Sequence, residues 1–319
     1  MNTDIYINGV GKHVPATCIS NGFFKTKSGL LPDEIVAKCG VIERRVTQPH
    51  ENTNTMAVEA VKEVIRKIDF DISEIDLIIG ATYTPYDTVG SLAHSVQRRF
   101  RIFNAKCFNV DSACSSFINA LEIAESFITS KKATKALIIA SENNSVYNDY
   151  DDPKSGFLWG DGAAAVVVSG KSSGNSDLQL IDIDTRGLAC VGKSIDAVTL
   201  RPARGGLHMP LGKDVFHYAC LTMIAETEQL LSRNQLSPND MKYFLPHQAN
   251  KRIIEVVARK LKIQSDKVLL NIENLGNTGC ASTPLLLAEN WDKFEKNDNI
   301  VITVFGGGYS SGTVLLRKN

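Results

Sequence analysis

The sequence predicts an α/β protein, a five-layer α/β/α/β/α sandwich made of two duplicated halves. Two observations carry this. Short apolar runs alternate with amphipathic stretches of helical period, the pattern of a parallel-rich sheet covered on both faces. The second half then replays the order of elements in the first, at an offset of about 165 residues.

In the first half, a helix over 56–68 leads through D-I-S-E into the strand I-D-L-I-I-G-A-T. In the second, a helix over 215–231 leads through L-S-P-N-D into M-K-Y-F-L-P-H-Q. A helix over 91–100, a strand over 105–110, a run of small residues and a helix from Ser116 come next. Their counterparts are a helix over 250–262, a strand over 267–272, a second small-residue run and a helix over 284–291. L-I-I-A-S-E matches I-V-I-T-V-F-G-G, and G-A-A-A-V-V-V-S and S-G-T-V-L-L-R-K close the two halves. K-S-S-G-N-S at 171–176 marks a hinge, dividing a half over 1–172 from one over 173–319. Only the first half carries the loop 143–157, whose Asn, Asp, Ser and Gly content suits an active-site or interface loop.

The composition excludes several classes. A chain of 319 residues, 43% apolar and 22% charged, is a globular chain with ample core, not a disordered or fibrous one. Its 35 Lys and Arg balance 35 Asp and Glu, so no overall field selects nucleic acid or an anionic membrane. Any anionic partner must dock on a local patch. No uncharged apolar run approaches the length of a membrane span, about 18 residues, and the N-terminus lacks a cationic and then apolar leader. A cytoplasmic protein without a membrane span is expected. Seven irregularly spaced cysteines with no C-x-x-C pair suggest reduced thiols and no zinc site.

Cys114 stands in D-S-A-C-S-S, between a buried strand and a helix. There a thiol meets the free amides and positive end of the helix, which favour a thiolate and can bind an oxyanion. The same position also suits a small buried Cys that fills a turn. His247, in L-P-H-Q-A-N, ends a strand, where α/β sheets gather ligands, although a strand-end His is often only a hydrogen-bonded structural residue. Asn277, in N-L-G-N-T-G-C-A-S, occupies the second-half counterpart of the Cys114 turn and also suits a left-handed turn. Cys280 lies in the same stretch and is read as packing. F-G-G-G-Y-S-S-G at 305–312 exposes backbone amides but lacks the G-K-[ST] of a phosphate loop. W-G-D-G at 159–162 reads as a turn before a strand. The helix at 250–262 sets Lys251, Arg252, Arg259, Lys260 and Lys262 against Glu255 alone, a net charge of +4. That face is either solvated or a dock for a small acidic protein.

Together these motifs resemble β-ketoacyl-acyl-carrier-protein synthase III, a thiolase-like condensing enzyme. The likeness runs through I-x-G-x-G-x-x-V-P at 7–15, G-V-I-E-R-R at 40–45, S-A-C-S-S, W-G-D-G-A-A-A, L-P-H-Q-A-N-x-R-I-I, G-N-T-G-C-A-S and F-G-G-G-Y-S-S-G, and so covers nearly the whole chain. The resemblance implies a thiolase-like sandwich, Cys114 as the acylated nucleophile, and His247 with Asn277 as the malonyl site. It also implies Gly307 and Cys114 amides as the oxyanion hole, and Phe305 against the malonyl carboxylate. It places Val89, Leu158 and Phe216 along the substrate pocket, Asn250 and Gly212 beside pantetheine, and Arg252, Arg259 and Lys260 at a carrier-protein dock. The implied partners are acyl carrier protein, an acyl thioester and a second copy of the chain, with no metal or organic cofactor.

The departures bear on substrate. Glu34 stands at or beside the position of a Trp that stacks on the coenzyme A adenine, Lys38 replaces an Arg, and Lys154 is the cation offered where the family has an adenine-facing Arg. Val89 replaces a bulkier Phe. These changes point to a longer or branched acyl group on a carrier protein in a specialised pathway, with an acetyl-coenzyme A initiator of fatty-acid synthesis as the alternative. A papain-like hydrolase lacks its C-G-[SA]-C-[WY] signature, and a biosynthetic thiolase would need a second catalytic Cys where Gly306, Gly307 and Gly308 stand. An inactive partner subunit does not fit an intact Cys, His and Asn set.

Overall fold

The computed structural model describes residues 4–174 and 176–319. Met1 to Thr3, in the expected leaderless start, and Asn175, in the expected hinge, lie outside the described residues. The first half forms β1 (Ile5–His13), β2 (Thr17–Ser20), α1 (Pro32–Cys39), β3 (Glu43–Val46), α2 (Thr53–Ile65), β4 (Leu77–Ala81), α3 (Leu92–Phe100), β5 (Lys106–Val110), α4 (Ser116–Thr129), β6 (Lys135–Glu142) and β7 (Gly162–Ser169). The second forms β8 (Leu178–Gly187), β9 (Thr199–Arg201), β10 (Gly206–His208), α5 (Gly212–Arg233), β11 (Tyr243–Pro246), α6 (Lys251–Lys260), α7 (Ile272–Leu275), α8 (Ser282–Asn290), β12 (Asn299–Gly306) and β13 (Ser310–Lys318).

Among the described residues, nine strands hydrogen-bond in the order β11-β12-β13-β8-β1-β7-β6-β4-β5. β4 runs parallel to β5 and β6, and β11 parallel to β12. The two halves meet at a short antiparallel ladder in which Tyr6 of β1 faces Gln179 of β8.

Side-chain alternation makes the layers. Leu77 and Ile79 of β4 share one core with Ile300, Ile302 and Val304 of β12, filled by Phe117 of α4 and Leu285 of α8. Ile78 turns the other way, toward Met56 of α2 and Leu92 of α3. Val301 and Phe305 likewise turn toward Val215 of α5 and Val257 of α6. Strands buried on both faces cannot alternate apolar with polar, which is why they read as unbroken apolar runs. Helix α8 lies in the middle layer, and every residue from Ser282 to Ala288 is buried. Helix α6 lies outside and buries one stripe, Ile253, Ile254, Val257 and Ala258.

One expected element is absent. Residues 267–272 do not form a strand; one bridge, Phe244 to Val268, is all that remains. The buried Gln248 side chain explains this, because its Oε1 accepts the N–H groups of Asn271 (3.1 Å) and Ile272 (3.2 Å), which a ladder would otherwise use. The chain turns there into α7. Helix bounds also differ from the expectations: α2 starts at Thr53 and stops at Ile65, α5 begins at Gly212, and α6 ends at Lys260, leaving Lys262 beyond it at φ 57.

Candidate active site

β5 ends at Val110, and a tight turn delivers Cys114 to the start of α4. Ala113 takes a left-handed φ of 48, held by its N–H to Asp111 Oδ1 at 3.0 Å. Such a conformation in a non-glycine residue is strained and persists only where neighbours enforce it. From the other half, the end of β12 presses against this turn. A Cβ on Gly306 would lie 3.0 Å from the Cys114 nitrogen, so only glycine fits. The next residue, Gly307, directs its N–H at the Cys114 sulfur.

Burial first, and then the Glu142 carboxylate, push the Cys114 thiol up to about 12, against the Gly307 and Cys114 N–H groups that favour the thiolate. The helix end alone therefore does not leave a free thiolate, as its position in sequence suggested it would. The resting group is a thiol whose proton leaves as sulfur attacks. The glycine turn is braced from below: Ser194 donates to the Gly308 carbonyl and accepts from the Tyr309 N–H, while the Tyr309 hydroxyl donates to Asp214 at 2.7 Å.

His247 closes β11, with its N–H on the Thr303 carbonyl of β12 at 2.8 Å. It is 3% exposed, and burial lowers its pKa to about 4, so the ring is neutral near pH 7. Its Nδ1 lies 2.7 Å from Ser282 Oγ, which also receives the Gln248 N–H at 3.5 Å. Among the described residues the Ser282 hydroxyl has no other acceptor, so it donates to Nδ1 and leaves the ring proton on Nε2.

Asn277 is 1% exposed. Its N–H donates to the Leu158 carbonyl at 2.8 Å, and its carbonyl accepts from Gly160 at 3.0 Å, which clamps it across Trp159. Its Oδ1 accepts the Gly279 N–H at 3.0 Å. Nδ2 has no acceptor among the described residues and is the remaining donor. Both His247 and Asn277 therefore present an N–H and keep their protons.

A cavity of about 440 Å³ opens at Cys114, lined among others by Tyr83, Trp159, Leu200, Leu207 and Gly307. His247 and Asn277 are not among the residues that line it. Tyr83, which the sequence did not single out, and Trp159, whose motif read only as a turn, line it, and Glu142, also not singled out, holds the Tyr83 backbone. The buried Glu142 carboxyl accepts from the Thr82 and Thr84 hydroxyls, the Tyr83 N–H and the Cys280 thiol. Burial raises it to about 8. Cys280 spends its thiol on Glu142 (2.8 Å) and Ala81 (3.3 Å), the behaviour of a packed residue.

The other expected positions spread more widely. Phe305 packs in the outer core with its ring centroid 4.7 Å from that of Tyr309 and does not line the cavity. Leu158 contributes its carbonyl to Asn277, and its side chain joins a separate core with Phe24 and Ile35. Phe216 packs half-buried on α5, and Gly212 is exposed at the start of that helix. Asn250 caps α6, with Oδ1 on the Arg252 N–H (2.9 Å) and Nδ2 on the Lys38 carbonyl (3.2 Å). Arg252, Arg259 and Lys260 are exposed, whereas Lys251 is neutralised by Glu273 at 2.7 Å. Val89 is 89% exposed in a turn built on Asp87 and stands outside the cavity, so within one chain it cannot enlarge the chamber. Glu34, Lys38 and Lys154 are exposed, and Glu34 caps α1 through the Leu31 N–H at 2.8 Å. No group of three His, Cys, Asp or Glu placed to hold a metal ion occurs among the described residues. No helix among them is long and apolar enough to cross a membrane.

The 3-oxoacyl-[acyl-carrier-protein] synthase III family model matches residues 108–187, and its C-terminal counterpart matches 231–318. The β-ketoacyl-[acyl-carrier-protein] synthase III of Azobacteroides pseudotrichonymphae genomovar. CFP2 is 35% identical over 323 residues, covering 98% of this chain and 96% of that one. The chain belongs to the β-ketoacyl-acyl-carrier-protein synthase III family. The crystal structure of the Aquifex aeolicus VF5 synthase III superposes with a TM-score of 0.91 at 33% identity, covering 98% of this chain and 99% of that one. The priming β-ketosynthase of the R1128 polyketide pathway superposes at 0.90 with 26% identity, over 100% and 97% of the two chains. As a synthase III, the protein is a condensing acyltransferase with a thiolase-like fold, and its reaction belongs to fatty-acid biosynthesis.

Proposed function

We propose that this synthase III joins an acyl group held on Cys114 to malonyl-acyl-carrier protein by decarboxylative Claisen condensation. The observation that carries the reading is the Gly307 N–H facing the Cys114 sulfur at the start of α4. With the Cys114 N–H it supplies two donors where negative charge develops on the acyl carbonyl oxygen. Sulfur attacks the acyl thioester carbonyl, the old carbon–sulfur bond breaks, and the departing thiol takes the cysteine proton. In the second half-reaction, the malonyl thioester oxygen receives hydrogen bonds from His247 Nε2 and Asn277 Nδ2. The bond to the malonyl carboxylate breaks, carbon dioxide leaves, and its electron pair forms a carbanion that attacks the Cys114 acyl carbon. Cys114 departs as the thiolate and takes a proton from solvent to restore the resting thiol, and the 3-oxoacyl product remains on the carrier. A neutral His247 suits this step, because an imidazolium would hold the malonyl carboxylate rather than let it leave. Phe305 supports the step from behind the glycine turn. No metal or organic cofactor takes part.

Arg252, Arg259 and Lys260 form the dock for the acidic carrier protein, with Asn250 and Gly212 along the pantetheine path and Phe216 toward the substrate pocket. Exposed Glu34, Lys38 and Lys154 offer no aromatic face to an adenine, which favours a carrier-protein acyl donor over coenzyme A. β5 ends the sheet with a free edge, and Tyr86, Val89 and Phe103 are exposed apolar side chains, features that suit pairing with a second copy. The division into halves at 1–172 and 173–319 leaves Cys114 on one and His247 and Asn277 on the other, and the reaction is placed in the cytoplasm.

Intact-protein mass spectrometry after incubation with acyl-coenzyme A and acyl-carrier donors tests the assignment. A mass gain lost in Cys114→Ala identifies the nucleophile and the donor. His247→Ala should keep that gain and lose condensation with malonyl-carrier protein; loss of acylation as well would overturn the division of roles.

A further inference from the structure

Tyr83 lines the Cys114 cavity and is fixed at three points. Its N–H donates to Glu142 Oε1 at 3.2 Å, and its hydroxyl donates to Asn144 Oδ1 at 2.8 Å. Its ring also lies against the turn that carries Asn277, so that a Cβ on Gly279 would stand 2.4 Å from the hydroxyl oxygen. The partners are themselves immobile. Asn144 is fully buried and donates to the Gly160 carbonyl at 2.8 Å, and Glu142 is buried with four further donors on its carboxyl. The ring cannot swing aside without leaving buried polar groups unpaired.

Val198, Leu200 and Leu207 give the same cavity an apolar side, and Trp159 gives it a second large ring. Methylene groups suit such a surface, but the two fixed rings bound the room available to them. A close-packed wall does not yield to extra carbons cheaply, and in an apolar pocket each methylene shifts rates by about 10- to 200-fold.

We infer that Tyr83 sets the length of the acyl group Cys114 can hold and restricts this synthase to short acyl thioesters. The inference rests on Cys114 as the acylated nucleophile. It runs against the expectation drawn from Val89, a residue that does not line this cavity.

The test is the rate of Cys114 acylation, read by mass spectrometry on the full chain, with acetyl, butyryl, hexanoyl and decanoyl groups on one carrier. Wild type should take butyryl at least about 100-fold faster than decanoyl. Tyr83→Ala should narrow that ratio to about tenfold or less, while Tyr83→Phe, which keeps the ring, should hold it within about threefold of wild type. If Tyr83→Ala does not fold, Tyr83→Leu removes less volume and should move the ratio the same way. A wild type that accepts decanoyl as fast as butyryl, or a folded Ala or Leu variant with an unchanged ratio, overturns the inference. Acetyl or butyryl groups appearing elsewhere than on Cys114 would overturn the nucleophile assignment, and this inference with it.

Discussion

One hydroxyl decides which nitrogen of His247 carries its proton. Ser282 donates to Nδ1 across 2.7 Å, so removing it frees the ring to take the other tautomer, with no N–H toward the malonyl oxygen. Ser282→Ala is expected to slow condensation about tenfold, the rate equivalent of one ordinary hydrogen bond, while leaving acylation unchanged and Ser282→Thr close to wild type. Equal losses in both half-reactions would refute this. Gly306 is as constrained as any side chain: Gly306→Ala puts a methyl carbon 3.0 Å from the Cys114 nitrogen, and the turn must shift. Acylation should fall by at least about tenfold, with a stability loss of about 1–3 kcal/mol measurable by urea unfolding. Cys114 and His247 stand out as candidates in the sequence because each sits in a local motif beside a strand end, whereas Asn277, which follows the short helix α7, stands out only through its glycine-flanked motif. Ser282, Glu142 and Tyr83 do not, because each acts through a partner 35 to 138 residues away that no local pattern reveals.

At the scale of elements, apolar period marked most strands and helices correctly, because burial on both faces writes itself into composition. Residues 267–272 show where that signal fails. An apolar run is consistent with a strand, but Gln248 intercepts its backbone donors, and the same side chain adjoins His247. Tertiary hydrogen bonding took the segment from the sheet and used it to fix the site. In α6 the apolar stripe was legible, but one of its charges is already spent. Lys251 is paired with Glu273, while Arg252, Arg259, Lys260 and, just beyond the helix, Lys262 remain exposed. Arg259→Glu combined with Lys260→Glu should raise the KM for malonyl-carrier protein about tenfold at low salt without changing kcat, and the penalty should shrink as salt rises. A malonyl thioester without its carrier should show no such effect. An equal rise with the carrier-free substrate would move the dock elsewhere.

The whole molecule places a buried base and a buried acid in its interior, and their opposite shifts bound its stability with pH. His247 has a folded value of about 4 against an ordinary 6.5, so between those values the unfolded chain binds the extra proton and stability rises with pH. Glu142 has a folded value of about 8 against 4.5, so between those values the folded chain binds the extra proton and stability falls as pH rises. From pH 4.5 to 6.5 the two slopes oppose each other. From 6.5 to 8 only that of Glu142 remains, a loss of about 2 kcal/mol and a drop in Tm of about 3–6 °C. Glu142→Gln keeps the side-chain shape but cannot titrate, so thermal melts of this variant should lose most of that drop between pH 6.5 and 8. A variant whose Tm falls as steeply as wild type would place the titrating group elsewhere. The same carboxyl anchors Tyr83 and raises the Cys114 thiol, so stability and acylation are expected to decline together as it ionises.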